Sequence, residues 1–310
     1  MLGTPLDQLC ISVDPAGCHL DHLPDRIWLF GGQIELDQTL PSESLRNSFY
    51  RKTLLSPPDA DSSWIAKIDV PENHNDWWEF SGYDDLLQFE RDACYLAQAT
   101  VLFAESSGSL AELGALAIDE TLVNNLIVVV QTHYFDSENR RSFLNLGPLK
   151  RVRNRKRLCT IGAKEKEKSL TSDDVQSIVE FVNEWLPKIH KSQVFKTSNP
   201  THRLLLLADL VDILLVSKSD ELKAACAHFL VVFFDDELPK ALELLAFFGM
   251  VRIERRGLEL FYVRRNASGA PWVNYTSNTK TPFDRSRFKI DCNTSIDLQP
   301  KRKEILERAR

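Results

Sequence analysis

Apolar positions along this chain follow one rhythm up to about residue 190 and another after residue 200. In the first part, short continuous apolar runs alternate with stretches of helical spacing. Arg26–Phe30, Ile65–Val70, Val101–Ala104 and Leu126–Gln131 are apolar runs of strand length, as expected for strands buried on both faces. Between and after them the spacing predicts helices over Ser42–Leu54, over Asp84–Gln98, from Ser109 onward, and from Thr171 to about Leu186, where Pro187 stops the turn. Leu110, Leu113, Ala117 and Ile118 share one side of the helix that starts at Ser109. Strands alternating with helices imply right-handed βαβ units and an α/β fold with a doubly wound parallel sheet.

The second rhythm is helical. Thr201–Ser217, Asp220–Leu230 and Glu237–Phe248 read as three helices, the third ended by Gly249. Met250–Arg256 and Leu258–Arg265 flank Gly257 as a hairpin. Three helices and a hairpin are the order of a winged helix, a smaller α+β domain. The chain is therefore divided into a leader (1–25) without clear periodicity, an α/β domain (26–190), a polar linker (191–200), a winged-helix-like domain (201–266) and a C-terminal extension (267–310). The leader is expected to pack loosely on the first domain. The extension is rich in Asn, Ser and Thr and ends in a short charged helix from Lys301.

Composition narrows the class. With 43% hydrophobic and 26% charged residues the chain is an ordinary globular protein. A net charge of −6 argues against a protein coated in nucleic acid, so local charge decides that question. Six dispersed cysteines without a C-x-x-C pair fit thiols in a reducing compartment. Cys18-His19-x-x-His22 lacks a second ligand cluster, so no metal site is expected. No basic head precedes a long apolar run, and the longest apolar stretches are too short to span a bilayer. A cytoplasmic location is expected, with no membrane partner.

Candidate chemistry gathers where an apolar strand meets a helix, at Val101–Ala117. A strand, a small polar turn and a helix start form the usual frame of an anion or nucleotide site in an open α/β sheet. Glu112 stands in the expected first helical turn. Ser109-x-x-Glu112 reads as a capping box, and also as a carboxylate held ionised by the helix N-terminus, able to attack a sugar carbon or stabilise an oxocarbenium ion. Glu112→Gln, which keeps a capping side chain, is expected to cost roughly 1 kcal/mol or less in stability. Gly31 and Gly32, after the first strand, allow a tight turn or close backbone approach to a ligand. They are not a G-x-G-x-x-G fingerprint. Trp77 and Trp78 could stack on a base or cover a core edge. Glu90 faces the site or solvent, and Asn145 is a sugar or base ligand or a turn residue.

Basic residues cluster between Lys150 and Lys168, and Arg151, Arg153, Arg155, Lys156 and Arg157 are the candidates for phosphate contacts. Arg255 and Arg256 of the hairpin suit a wing on a phosphate backbone. Acids nearby, among them Asp235, Asp236, Glu237 and Glu243, favour a protein or scaffold role nearly as well.

The segment F-x-E-S-x-G-S-x-x-E-L-G-A at Phe103–Ala115, with Ile27–Gly32 (IWLFGG) and Arg141–Pro148 (RSFLNLGP), resembles the nucleoside 2-deoxyribosyltransferase-like family. The similarity is greatest to the branch found as toxin effectors of bacterial retrons, and covers roughly residues 26–153. It implies Glu112 as catalytic carboxylate and a substrate site drawn from Gly31, Gly32, Glu72, Glu90, Ser106, Gly108, Ser109 and Asn145. It implies N-glycosidase activity, with NAD as substrate rather than cofactor, phosphates at Gly31–Gly32 and Ser106–Ser109, and no bound cofactor. It also implies a retron reverse transcriptase and its multicopy single-stranded DNA with linked RNA as partners that hold a toxin inactive, in a homo-oligomer or larger assembly. Two rivals stand beside this reading: a deoxyribosyltransferase or hydrolase of free nucleosides, and a non-enzymatic nucleotide sensor or DNA-binding regulator.

Overall fold

Helix α1 (Pro5–Ser12) starts on Thr4, whose hydroxyl accepts the Asp7 amide while the Asp7 carboxylate accepts the Thr4 amide. It runs directly into strand β1 (Val13–Leu20). A computed structural model of the chain describes residues 4–35, 37, 40–55, 60–74, 83–136, 138–163, 167–189, 192–234, 236–264 and 270–309. Trp77, Trp78, Lys164, Lys166, Asp235 and Arg265 lie outside the described residues. Two units divide the chain, residues 24–190 and residues 1–23 with 191–310.

The first of these is built on the apolar runs. Strands β2 (Ile27–Phe30), β3 (Ile68–Asp69), β4 (Ala99–Phe103), β5 (Leu126–Gln131) and β6 (Leu158–Ile161) form a parallel sheet in the order β3-β2-β4-β5-β6. Every residue of β2, β4 and β5 is buried, as the unbroken apolar runs require. Helices α2 (Leu45–Leu55), α3 (Leu86–Cys94), α4 (Ser107–Ile118), α5 (Phe143–Leu146), α6 (Pro148–Asn154) and α7 (Ser172–Trp185) flank it. The second expected strand shrinks to two residues, because Ala60–Lys67 turns as a 3-10 helix first. Strand β6 lies inside the basic run read as a loop or solvated face. Only Cys159 and Ile161 of its four residues are buried, so charge on either side hides it.

Counted within this unit, the strand order is 2-1-3-4-5. The chain leaves β2 for one side of the sheet and returns through α3 to β4 on the other. The crevice beyond the carboxyl ends of β2 and β4 is thus the topological switch point, where open α/β sheets hold ligands.

In the other unit β1 is the middle strand of an antiparallel sheet, between β11 (Val273–Ser277) and the short β7 (Gln193–Val194). Helix α8 (Pro200–Ile213) leads to β8 (Val216–Ser217), α9 (Ser219–His228), α10 (Glu237–Phe247) and the hairpin β9 (Val251–Arg256) and β10 (Glu259–Arg264). Helices α11 (Arg285–Asp297) and α12 (Pro300–Ala309) close the chain. The expected hairpin is present, with Gly257 at φ +63°, and gains β8 as a third strand in the order β8-β10-β9. Helix α8 is apolar nearly all round and buried. It carries Asp209, which accepts from the Trp272 and Val273 amides, the Tyr275 hydroxyl and both Arg285 terminal nitrogens. Asp212 ion-pairs with Arg264, Arg285 and Lys289.

The loosely packed leader is thereby corrected: residues 4–20 are a helix and a central strand of the unit completed by residues 191–310. Pro15 and Gly17 interrupt the alternation that would have marked the strand, and only Val13, Cys18 and Leu20 of it are buried. No helix among the described residues is long and apolar enough to cross a membrane.

Candidate active site

Helix α4 begins two residues earlier than its sequence suggests. Ser106 is the N-cap. Its hydroxyl accepts the Ser109 amide at 3.1 Å, and the Ser109 hydroxyl accepts the Ser106 amide at 2.9 Å. The capping box is therefore Ser106–Ser109, not Ser109–Glu112, and Glu112 falls in the second turn. Its carboxylate caps no helix among the described residues. The buried stripe shifts with the start, to Ser109, Leu113, Leu116 and Ala117, leaving Ile118 exposed.

Released from capping, the Glu112 side chain lines a cavity of about 260 Å³ with Gly31, Gly32, Arg46, Glu72 and Glu90. Phe30 and Leu86 add apolar wall. Gly31 and Gly32 leave the end of β2, Glu72 follows β3, and Glu112 comes from the helix after β4, so the cavity occupies the switch point. One Glu112 oxygen, Oε2, is buried without a hydrogen-bond partner among the described residues. So are Arg46 Nε and Glu72 Oε2. Orphaned polar atoms around one hollow suit a polar ligand that supplies the missing partners.

Burial pushes the Glu112 carboxyl up to about 7. Repulsion from Glu90 adds to the rise, attraction to Arg46 opposes it, and Glu72 adds a smaller push. This corrects the expectation of a carboxylate held ionised by the helix N-terminus. Near neutral pH both protonation states of Glu112 are populated.

Two residues overlooked in the sequence organise this wall. Arg46, only 3% exposed, donates from Nη1 to the Leu29 carbonyl at 3.1 Å and ion-pairs through Nη2 with Glu72. Its spacing to Phe49 put it on the apolar side of α2, the one available hint. Glu105 follows the last residues of the β4 run, where it read as a turn residue. Its carboxylate accepts the amides of Gly32 at 3.0 Å, Leu45 at 2.6 Å and Arg46 at 2.9 Å. It thus caps α2 from another element and clamps the Gly31–Gly32 turn to it. Gly31 has φ +153°, and a Cβ there would meet the Cβ atoms of Arg46 and Phe103 at 2.9 Å. At Gly32 it would meet Ser44 Cβ at 2.7 Å. Close packing requires both glycines.

Three of the amides expected to face substrate phosphates are occupied: Gly32 by Glu105, and Ser106 and Ser109 by each other's hydroxyls. Ser109 is fully buried, Gly108 is exposed, and neither they nor Ser106 line the cavity. Asn145 lies elsewhere in the unit. Its amide donates to the Tyr134 carbonyl at 2.5 Å and the Asn139 carbonyl at 3.1 Å, which is the turn-holding alternative.

The basic candidates divide. Arg151 and Arg155 both pair with Glu120. Arg157 lies over the Trp185 ring at 5.4 Å, and burial, with Arg155 beside it, lowers its proton affinity. Arg153 lies over Phe135 at 4.8 Å. Lys156 is exposed at φ +58°. In the other unit, Arg256 lies within ion-pair range of Glu254 and Glu304, while Arg255 is exposed on the hairpin.

A parallel sheet with a carboxylate-lined hollow at its switch point defines an open α/β unit with a candidate ligand site. The chain belongs to the STM3845 retron effector protein family, which matches residues 42–253. It is 36% identical over 89 residues to an Escherichia coli retron Ec73 protein named as a candidate ribosyltransferase/DNA-binding protein. That match covers 29% of this chain and 27% of the relative. The retron Ec86 protein of the same description, also from Escherichia coli, is 33% identical over 98 residues, covering 30% of this chain and 31% of the relative. The chain thus matches less than a third of the length of either curated relative.

Proposed function

We propose that this retron effector cleaves an N-glycosidic bond in the Glu112 cavity, with NAD as the leading substrate. The unpartnered Glu112 oxygen inside a hollow of three glutamates and one arginine carries the reading. Such a hollow favours a positive ring over a phosphate. Nicotinamide on ribose is positive and departs as a neutral base without being protonated. As the C–N bond breaks, its electrons go to nicotinamide and positive charge grows on the anomeric carbon, which ionised Glu112 stabilises. Water adds to that carbon and loses a proton, giving nicotinamide, ADP-ribose and H⁺. At the low end of ligand-site volumes, the cavity suits the nicotinamide riboside half, with the phosphates outside.

The ribosyltransferase part of the relatives' names supports glycosyl transfer as the reaction class. The same motifs support a nucleoside deoxyribosyltransferase-like fold for residues 24–190. The order α8-β8-α9-α10-β9-β10 supports a winged helix in the other unit. Membership of a retron effector family supports reverse transcriptase and multicopy single-stranded DNA as cytoplasmic partners that restrain the toxin.

A second reading draws on the raised Glu112 carboxyl. In its protonated state it can donate to a neutral departing base, as a nucleoside hydrolase or deoxyribosyltransferase requires. Purified full chain, freed of retron partners, is incubated with NAD and, separately, with deoxynucleosides plus a second base, and products are separated by chromatography. NAD loss that disappears in Glu112→Gln supports the first reading. Base exchange supports the second. Silence with both leaves a sensor or regulator and overturns the enzyme.

A further inference from the structure

Three carboxylates reach the hollow at the switch point, each from a different part of the unit: Glu72 after β3, Glu90 from α3 and Glu112 from α4. One guanidinium, that of Arg46 on α2, lines it with them and is already ion-paired with Glu72. Among the described residues the unmet polar capacity is mostly that of acceptors, Glu112 Oε2 and Glu72 Oε2, against the single donor Arg46 Nε. Cys94 on α3 brings no positive charge, and burial, with Glu90 and Glu112 nearby, holds its thiol protonated. Three carboxylates around one paired cation carry negative charge in excess, and each raises the cost of ionising the next. A ligand that brings a positive charge offsets that cost. A neutral ligand of the same shape does not.

Resting on the reading of this hollow as the glycosidic site, we propose that it selects ribosides by the positive charge of their base, and so cleaves N7-alkylated purine ribosides as well as pyridinium ones. In 7-methylguanosine, as in nicotinamide riboside, the base is a cation before any proton is added. Breaking the bond from its ring nitrogen to the anomeric carbon sends the bonding electrons into the imidazolium ring, which leaves as neutral 7-methylguanine. Water adds to the anomeric carbon and loses a proton, so the products are 7-methylguanine, ribose and H⁺. Guanosine lacks the charge and needs an acid to protonate its ring. Selection also acts before any bond breaks. A cation beside Glu112 favours its ionised form, so binding drives off the proton that Glu112 otherwise holds. The ionised carboxylate is the form that stabilises an oxocarbenium centre. Substrate charge thus admits the ligand and prepares the group that acts on it. Neutral rings, the reduced pyridine of NADH among them, do neither.

The first test needs no turnover. The full chain is titrated in a calorimeter with 1-methylnicotinamide, a pyridinium with no sugar to lose, and with nicotinamide, its neutral counterpart. The cation should bind about tenfold tighter or more. At pH 7, where Glu112 is close to half protonated, it should release up to about half a proton per site, read from the difference in heat between phosphate and Tris buffers. Glu112→Gln should keep the preference for the cation, through Glu72 and Glu90, and abolish the proton release. Glu90→Gln should narrow the preference about threefold or more and leave nicotinamide binding unchanged. Chromatography then compares 7-methylguanosine with guanosine, and base release from the first alone, lost in Glu112→Gln, is expected. Equal binding of the two rings, proton release that survives Glu112→Gln, or guanosine cleaved as fast as 7-methylguanosine overturns the proposal. Cation preference and 7-methylguanosine cleavage with NAD left intact would uphold charge selection and remove NAD as substrate. NAD loss without cation preference would uphold the NAD reading and overturn charge selection.

Discussion

Replacing Glu112 by Gln should stabilise the protein above neutral pH, because the carboxylate it removes is a burden on the fold. The carboxyl moves from an ordinary 4.5 to about 7 in the folded chain, first through burial and then through repulsion from Glu90. At about 1.4 kcal/mol per tenfold change in proton affinity, the fold favours neutral Glu112 by roughly 3 kcal/mol. The sign follows from proton counting. Below pH 4.5 folded and unfolded chains both hold the proton, and nothing is lost. Between 4.5 and about 7 the unfolded chain releases it first, so stability falls as pH rises, then levels off. Gln is neutral throughout. The gain should therefore be near zero at pH 4.5, grow through pH 6, and reach about 2–3 kcal/mol at pH 8, or roughly 5 °C or more in Tm. Thermal and urea unfolding of both proteins at four pH values between 4.5 and 8 measure it. A uniform loss of about 1 kcal/mol would restore the capping role for Glu112. An effect independent of pH would mean that its carboxylate is solvated. Either result refutes the buried, unpartnered oxygen on which the enzymatic reading rests.

Four other outcomes follow from the geometry. Arg46→Met removes the charge that holds Glu112 down, so the rise of NAD cleavage with pH, expected near 7 in the wild type, should move to higher pH in rate profiles. Gly31→Ala brings a Cβ to 2.9 Å from Arg46 and Phe103 at φ +153°; a loss of about 3 kcal/mol in urea unfolding is expected, with weakened substrate binding. Asp209→Asn removes one of the two carboxylates that pair with Arg285, leaving Asp212, and should cost about 2–3 kcal/mol, seen as a lower urea midpoint. Lys156→Gly relieves a left-handed lysine and should raise stability by about 1 kcal/mol, measured by thermal unfolding.

Strands buried on both faces were readable from residue order because their apolar runs are unbroken, as Ile27–Phe30 and Leu126–Gln131 show. The cap of α7 at Thr171 and the Gly257 hairpin were equally plain, since each is a local rule satisfied by neighbouring residues. Strands β1 and β6 were not. Strand β1 pairs with β11 from the other end of the chain and carries an aspartate, a proline and a glycine that break the local pattern, while β6 is four residues, only two of them buried, between basic flanks.

The candidate site divides in the same way. A glutamate just after a buried strand and serine turn is a local motif, so Glu112 could be named from the chain alone. Its freedom from capping could not, because Ser106-x-x-Ser109 and Ser109-x-x-Glu112 both fit a helix start, and only the register of α4 chooses between them. The joining of Glu72, Glu90, Arg46 and Glu112 around one hollow, and the sealing of the Gly32 amide by Glu105, are decided by the three-dimensional packing. Residue order determined which segments bury themselves, since burial follows local apolar content. Folding decided which charges meet, since those charges come from segments separated by tens of residues and acquire their energies only in the shared low-dielectric space between them.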